Sequence, residues 1–184
     1  MTTIATDGVT IAADGLSTAE GIVTGRACKK VHVVDRVVYA GSGTLAMCLA
    51  AIDWVRDGAK SDLFPKAPKP EDCGWTLLVL RQGQPAICYM STLGAYAETE
   101  ELPFAMGSGA LLARAAMNLG LSPREAVAHA CAFDVYSGGT IMELDLAVAW
   151  APPVPGQTST WEGGKRIIRQ ERRQPAKVPE KVQG

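Results

Sequence analysis

The feature that most constrains this chain is the close succession of short apolar runs and turn signals in its first 43 residues. Thr2–Thr6 and Val9–Ala13 are two such runs, with Asp7-Gly8 between them, a pair suited to the tight turn of a β-hairpin. Asp14-Gly15 ends the second run. Gly21–Thr24 reads as a further short strand before Gly25, and Cys28–Val34 and Arg36–Ala40 form another pair turning at Asp35. Connections this short join antiparallel strands, because a parallel pair needs a long crossover. The N-terminal part is therefore antiparallel β.

Gly41-Ser42-Gly43 breaks the last of these strands, and the period then changes. From Thr44 to about Gly58, Leu45, Cys48, Leu49, Ile52 and Val55 recur at three- and four-residue spacing, which predicts a helix. Phe64–Cys73 holds three prolines and several charges and reads as a loop. Trp75–Leu80 and Pro85–Met90 flank Gln82-Gly83-Gln84 as a second hairpin, and Leu93–Glu101 supplies a short strand and a turn. Phe104-Ala105-Met106 is a short apolar run closed by Gly107-Ser108-Gly109. Ala110–Leu119 is a helix with Gly120 as its stop. Ser122-Pro123-Arg124-Glu125 starts another: Ser as N-cap, Pro in the first turn, Glu closing a capping box. It runs to about Phe133 and ends at Asp134–Gly139. Ile141–Trp150, apolar at most positions, reads as a strand.

After Trp150 the chain turns rich in Pro, Gly and charge, with a basic cluster at Lys165–Arg173 and one short strand at Arg166-Ile167-Ile168. The expected organisation is one domain over 1–150 and a Pro- and basic-rich tail, an arm or partly disordered, over 151–184. Strands and helices are segregated along the chain, so the fold class is α+β with antiparallel sheets, not a doubly wound parallel sheet. The strands are nearly continuously apolar, as sheets covered on both faces require.

Composition narrows the function classes. At 184 residues the chain can bury a sizeable core, and a formal net charge of −1 gives no reason to expect nucleic acid or an acidic membrane surface. No apolar run is long enough to span a bilayer, and the N-terminus lacks the pattern of a secretory signal, so a cytoplasmic protein is expected. Cys28, Cys48, Cys73, Cys88 and Cys131 are odd in number, widely spaced and without a C-x-x-C, which favours reduced thiols over disulfides or zinc. His32 falls in an alternating strand and His129 on a helix, both in structural settings. Gly41-Ser42-Gly43 lacks the Gly-Lys-Ser/Thr of a phosphate loop.

Polar residues stand at the ends of the apolar elements: Asp14, Lys30, Ser108, Asp134 and Ser137. At the start of the chain, Thr2 would carry both a hydroxyl and a free α-amine once Met1 is removed, a nucleophile with its own general base. Each residue alone has a plain structural explanation. Together, Thr2-Thr3-Ile4, Ile11-Ala12-Ala13-Asp14-Gly15, Lys29-Lys30-Val31, Ala40-Gly41, Ala105-Met106-Gly107-Ser108-Gly109 and Asp134-Val135-Tyr136-Ser137-Gly138 resemble, in order, the motifs of the proteasome β-subunit superfamily. That superfamily lies within the N-terminal-nucleophile hydrolases, and the nearest likeness is to HslV-type peptidases and their small bacterial and phage relatives. The resemblance spans Thr2–Trp150.

The resemblance implies a four-layer αββα sandwich. It implies Thr2 as nucleophile, Lys30 as the lysine beside it, Asp14 orienting Lys30, and Ser108, Asp134 and Ser137 holding the amine or its water. The Gly41 N–H would form the oxyanion hole. Ala19, Cys28, Tyr39 and Ser42 would line the pocket for the residue before the cut. It implies a threonine-type peptidase acting on peptides or unfolded proteins without metal or cofactor, in a homo-oligomeric ring often fed by an unfolding ATPase. The sequence departs from the pattern in two places. One of two long helices expected between Thr44 and Trp75 is shortened or missing, and the tail after Trp150 is long. Other readings consistent with the sequence are a non-catalytic ring or scaffold subunit, an amidase of the same class acting on a small amide, and a binding module using the basic tail.

Overall fold

The computed structural model describes residues 2–60, 63–65, 74–91, 96–152, 157–162 and 165–170. The N-terminal runs give β1 (Thr3–Thr6), β2 (Thr10–Ala13), β3 (Ser17–Ala19), β4 (Ile22–Gly25), β5 (Val31–Val34) and β6 (Val37–Gly43). Helix α1 (Leu45–Arg56) follows, then β7 (Trp75–Leu80), β8 (Ala86–Met90), β9 (Tyr96–Glu100) and β10 (Phe104–Gly107). The helices α2 (Ala110–Asn118) and α3 (Pro123–Phe133) precede β11 (Met142–Asp145), α4 (Leu146–Trp150), β12 (Gln157–Glu162) and β13 (Lys165–Gln170).

Two larger antiparallel sheets carry the fold. One has the order β10-β1-β2-β11 and the other β5-β6-β7-β8-β9. The period of two along each strand explains the continuous apolar runs. In the first sheet, Ile4, Ile11, Phe104 and Leu144 meet Val38, Ala40, Leu78 and Cys88 of the second in one buried cluster. The residues between them face outward. Ala5, Ala12 and Ala105 pack against Ala113, Ala126, Val127 and Ala130 of α2 and α3. Tyr39, Leu77 and Val79 pack against Cys48, Ile52 and Trp54 of α1. Both faces of the central strands β1, β2, β6 and β7 are thus largely covered, at roughly 1.5–3 kcal/mol for each large apolar side chain fully buried. The alanines on the first sheet and its helices leave little side-chain bulk between them.

Local chemistry fixes the ends of these elements. Asp7 Oδ1 accepts from the N–H groups of Val9 and Thr10 at 2.8 and 2.7 Å, closing the β1–β2 turn. Ser122 and Glu125 form the expected capping box: the Glu125 N–H donates to Ser122 Oγ, and the Ser122 N–H donates to Glu125 Oε2 at 2.9 Å.

The structure differs from the sequence pattern in four places. Ile141–Trp150 is not one strand. It is β11 followed by α4, and the Asp145 carboxylate caps the helix by accepting from the Ala147 N–H at 2.8 Å. An apolar run of this kind fits a buried strand or a short helix equally. Ser17–Gly25 makes a hairpin of its own, β3–β4, turning at Glu20 and Gly21, both at positive φ. The strand expected over Cys28–Val34 begins only at Val31, since the Cys28 N–H is bonded to the Gly15 carbonyl instead of a sheet neighbour. Within the tail, 157–170 carries an antiparallel ribbon, β12–β13, longer than the single short strand expected. Beyond Pro65, the Pro-rich loop lies outside the described residues, as do Met1 and 171–184. Among the described residues, α1 is the one α-helix between β6 and β7, and no helix is long and apolar enough to cross a membrane.

Candidate active site

β1 brings Thr2 and Thr3 to the end of the first sheet, where several other segments converge. Thr2 is only 3% exposed and sits in the wall of a cleft of about 720 Å³, which Lys30, Gly41, Ser42, Gly43 and Ser108 also line. A side chain on Gly107, at φ +94°, would collide with the Thr2 carbonyl. That close approach is what a glycine there permits.

Asp14 ends β2 and is fully buried. Its Oδ1 accepts from Lys30 Nζ at 2.7 Å and from the Thr3 N–H at 2.8 Å. Its Oδ2 accepts from the N–H groups of Leu16 and Gly138 at 3.1 and 3.0 Å. A buried carboxylate is tolerable when paired and hydrogen-bonded to this extent. Backbone bonds lace the same segments together: Asp14 N–H to Thr3 O, Gly15 N–H to Gly138 O and Cys28 N–H to Gly15 O, at 2.9–3.0 Å. The Lys30 ammonium is thereby fixed within the wall that holds Thr2.

A second polar group lies on the α2–α3 side. Ser108 Oγ and Ser137 Oγ each donate to Asp134 Oδ2 at 2.6 Å, and Ser108 Oγ is 3.4 Å from the Thr2 carbonyl oxygen. The Tyr136 N–H donates to Asp134 Oδ1 at 3.2 Å. Desolvation acts to raise the Asp134 pKa, but these three donors outweigh it and hold the carboxyl below its usual value. Ser137 Oγ is also 2.6 Å from Thr3 Oγ1.

The structure thus brings Thr2, Asp14, Lys30, Ser108, Asp134 and Ser137 into one connected region. Gly41 differs from expectation. It lines the cleft, but its N–H donates to the Lys30 carbonyl at 2.9 Å and so is already engaged. The alternation of β6 turns a different group to the cleft. Gly43 pairs with Trp75 in register, yet the Trp75 N–H and C=O are both bonded to Ser91, on the other side of β7. The Gly43 N–H therefore points away from β7, to the side where Gly41 meets Lys30 but past the start of β5. Of the expected pocket residues, Ala19, Cys28 and Ser42 line the cleft. Tyr39 does not. It is 2% exposed on the α1-facing side of β6, where burial pushes its phenol pKa up. One residue along a strand reverses the face, and spacing alone left that face unassigned.

Several cleft or site residues were not singled out as such from the sequence, among them Thr3, Gly43 and His32. Thr3 is bonded to both polar groups, Gly43 is described above, and His32 lines the cleft with its pKa lowered by burial and by Lys29. The Gly41-Ser42-Gly43 spacing of two was the available signal for Gly43. Cys48 also lines the cleft, but burial pushes its thiol up to about 11, so it holds little thiolate at neutral pH. Among the described residues, Cys28, Cys48 and Cys131 carry free thiols, and no group of three or more His, Cys, Asp or Glu side chains is arranged to hold a metal ion.

No protein-family model matches the chain, and no curated protein is similar to it in sequence. Solved structures match it in fold. Eukaryotic HslV from Trypanosoma brucei aligns with a TM-score of 0.59 at 20% identity, over 78% of this chain and 98% of HslV. BPH of Thiobacillus denitrificans aligns with a TM-score of 0.58 at 18% identity, over 77% of this chain and 95% of BPH. BPH in complex with epoxomicin gives 0.59 at 17% identity, with the same coverage. At these identities the likeness is one of fold, and the chain has a proteasome β-subunit-like fold.

Proposed function

We propose that the chain is an N-terminal threonine hydrolase of the proteasome and HslV kind, folded as a four-layer αββα sandwich, which cleaves peptide bonds through Thr2 after Met1 is removed. The observation that carries this reading is the position of Thr2. It stands in the wall of a cleft between the Lys30–Asp14 pair and the Ser108–Asp134–Ser137 group. The shared fold with HslV supports it, as does the complex of BPH with epoxomicin.

The chemistry follows from one residue carrying two groups. A free α-amine has a reference pKa of about 7.7–8.0, so a fair fraction is neutral near pH 7 and can take the hydroxyl proton. Thr2 Oγ then attacks the scissile carbonyl carbon. Lys30 offers a fixed positive charge beside the developing alkoxide, held in place by Asp14. The negative oxygen of the tetrahedral intermediate needs an N–H donor in the cleft. That donor is Gly43 in this reading, not Gly41, whose N–H is spent on Lys30. Such a donor is typically worth about 3 kcal/mol in the barrier. The ammonium returns its proton to the leaving amine, which departs and leaves an ester on Thr2 Oγ. Water then attacks the ester, the α-amine again acting as base, and the acid product leaves. Ser108, held by Asp134, abuts the Thr2 carbonyl and in this reading steadies the residue that carries the amine. Ala19, Cys28 and Ser42 belong to the wall that receives the substrate.

Self-association is part of the proposal. Leu111, Leu119, Phe133 and Val135 are each at least two-thirds exposed in the single chain, which suits a surface covered by further copies in a ring. The test of the activity is a panel of acylated peptides and small amides, with purified chain that starts at Thr2. The proposal expects turnover of peptides that disappears in Thr2→Ala while the melting curve of that variant stays close to wild type. Full peptide turnover by Thr2→Ala contradicts it, and turnover of the small amides alone favours the amidase of the same class.

A further inference from the structure

The hydroxyl of Thr3 has a direction that the surrounding bonds determine. Asp134 Oδ2 is a carboxylate oxygen and can only accept, so Ser137 Oγ spends its single hydrogen on Asp134 at 2.6 Å. The 2.6 Å contact between Thr3 Oγ1 and Ser137 Oγ must then run from Thr3 to Ser137. At the same residue the backbone N–H donates to Asp14 Oδ1, the oxygen that also holds Lys30. Thr3 is fully buried, and a side chain on Gly109 would collide with its Oγ1, so the hydroxyl is held on that heading.

We propose that Thr3, a residue the reaction itself does not use, is the positioning residue that couples the two polar groups of the site through its N–H to Asp14 and its hydroxyl to Ser137. This rests on the threonine-hydrolase reading of Thr2. The chain Thr3 Oγ1–H to Ser137 Oγ–H to Asp134, met from the other side by Ser108, is a row of short bonds ending on an anion. Each donor polarises the next, so such rows strengthen together. Without the Thr3 hydroxyl, Ser137 keeps its bond to Asp134 but loses the group that orients it. The Asp134–Ser108 pair that abuts the Thr2 carbonyl is then less firmly aimed, and the nucleophile beside it is misplaced by small amounts that rate is sensitive to. The side chain of Thr3 does not line the cleft, so substrate binding is untouched.

The experiment compares wild type, Thr3→Val, Thr3→Ser, Ser137→Ala and the Thr3→Val/Ser137→Ala double variant, each purified with Met1 absent. Two readouts are taken: thermal melts, and the rate of covalent labelling by a peptide epoxyketone extrapolated to saturation. The expected result has three parts. Thr3→Val, which keeps the shape and loses the hydroxyl, labels about tenfold more slowly at saturation with an unchanged half-saturation concentration. Thr3→Ser recovers most of the rate. In both readouts the double variant is no worse than the poorer single variant, because both substitutions break the same row. Melts that add, with wild type labelled, overturn the coupling. Thr3→Val labelling as fast as wild type overturns the positioning role. A wild type starting at Thr2 that takes no label overturns the hydrolase reading and the role of Thr3 with it, while the melts still decide whether the hydroxyl row exists.

Discussion

Asp14 spreads one charge over four donors, three of them backbone N–H groups that no side-chain substitution removes. The fourth is Lys30, and the pair is almost completely buried. Removing one partner of such a pair leaves an uncompensated charge, which costs on the order of 3–5 kcal/mol. The remaining N–H donors put Lys30→Met at the lower end, about 3 kcal/mol by denaturant melts. The Lys30→Met/Asp14→Asn double variant is expected to lose less than the sum of the two single variants. Asp134 makes a separate prediction in pH. Its folded pKa lies below its unfolded value, so its contribution to stability is present above the usual carboxylate pKa and is lost as pH falls through the folded value. Melts of wild type and Asp134→Asn should therefore differ at neutral pH and draw together in strong acid. A constant gap across that range would contradict the assignment.

At the scale of elements, the strength of local signals decided what could be read. The β1–β2 hairpin and the start of α3 are set by Asp7 and by Ser122 with Glu125, whose hydrogen bonds are local in sequence and so visible in it. Ser122→Ala should cost about 1 kcal/mol and fray α3 without touching the site, as hydrogen exchange at Glu125 and Ala126 would report. The end of the chain's last apolar run was not legible, because Ile141–Trp150 satisfies both periods and only Asp145, placed by β11, starts α4. The stripe of α1 was legible in part: Cys48, Ile52 and Val55 are buried as their spacing expects, but Leu45 and Leu49 are exposed while Met47, Ala51 and Trp54 are buried, since the orientation is set by the sheet beneath. The site shows the same division. Thr2, Asp14, Lys30, Ser108, Asp134 and Ser137 end elements and could be named. Tyr39, Gly41 and Gly43 depend on which side of β6 faces the cleft, a matter of register with β5 and β7. Gly43 sits at φ +111°, and a side chain there would collide with the Gly74 carbonyl. Gly43→Ala is therefore expected to move its N–H and depress turnover about a hundredfold, with Thr2 still present and the chain folded. Unchanged turnover would return the oxyanion role to another donor.

At the scale of the whole molecule, the two sheets bring the ends of β1, β2 and β10 against the ends of β5 and β6, and Thr2 is where they meet. The exposed apolar residues at the ends of α2 and α3 predict an assembly larger than one chain by sedimentation, and Phe133→Glu with Val135→Glu should shift it toward smaller species. The central claim is narrower than the fold and can be met directly. A peptide epoxyketone has two electrophilic carbons, so a stable ring adduct requires a hydroxyl and an amine on one residue. Intact-mass and fragment spectra of the treated protein should show a chain lacking Met1, one inhibitor bound per chain, both bonds on Thr2, and no adduct in Thr2→Ala. A chain that begins at Thr2 and remains unmodified, or one that is modified elsewhere, would contradict the account.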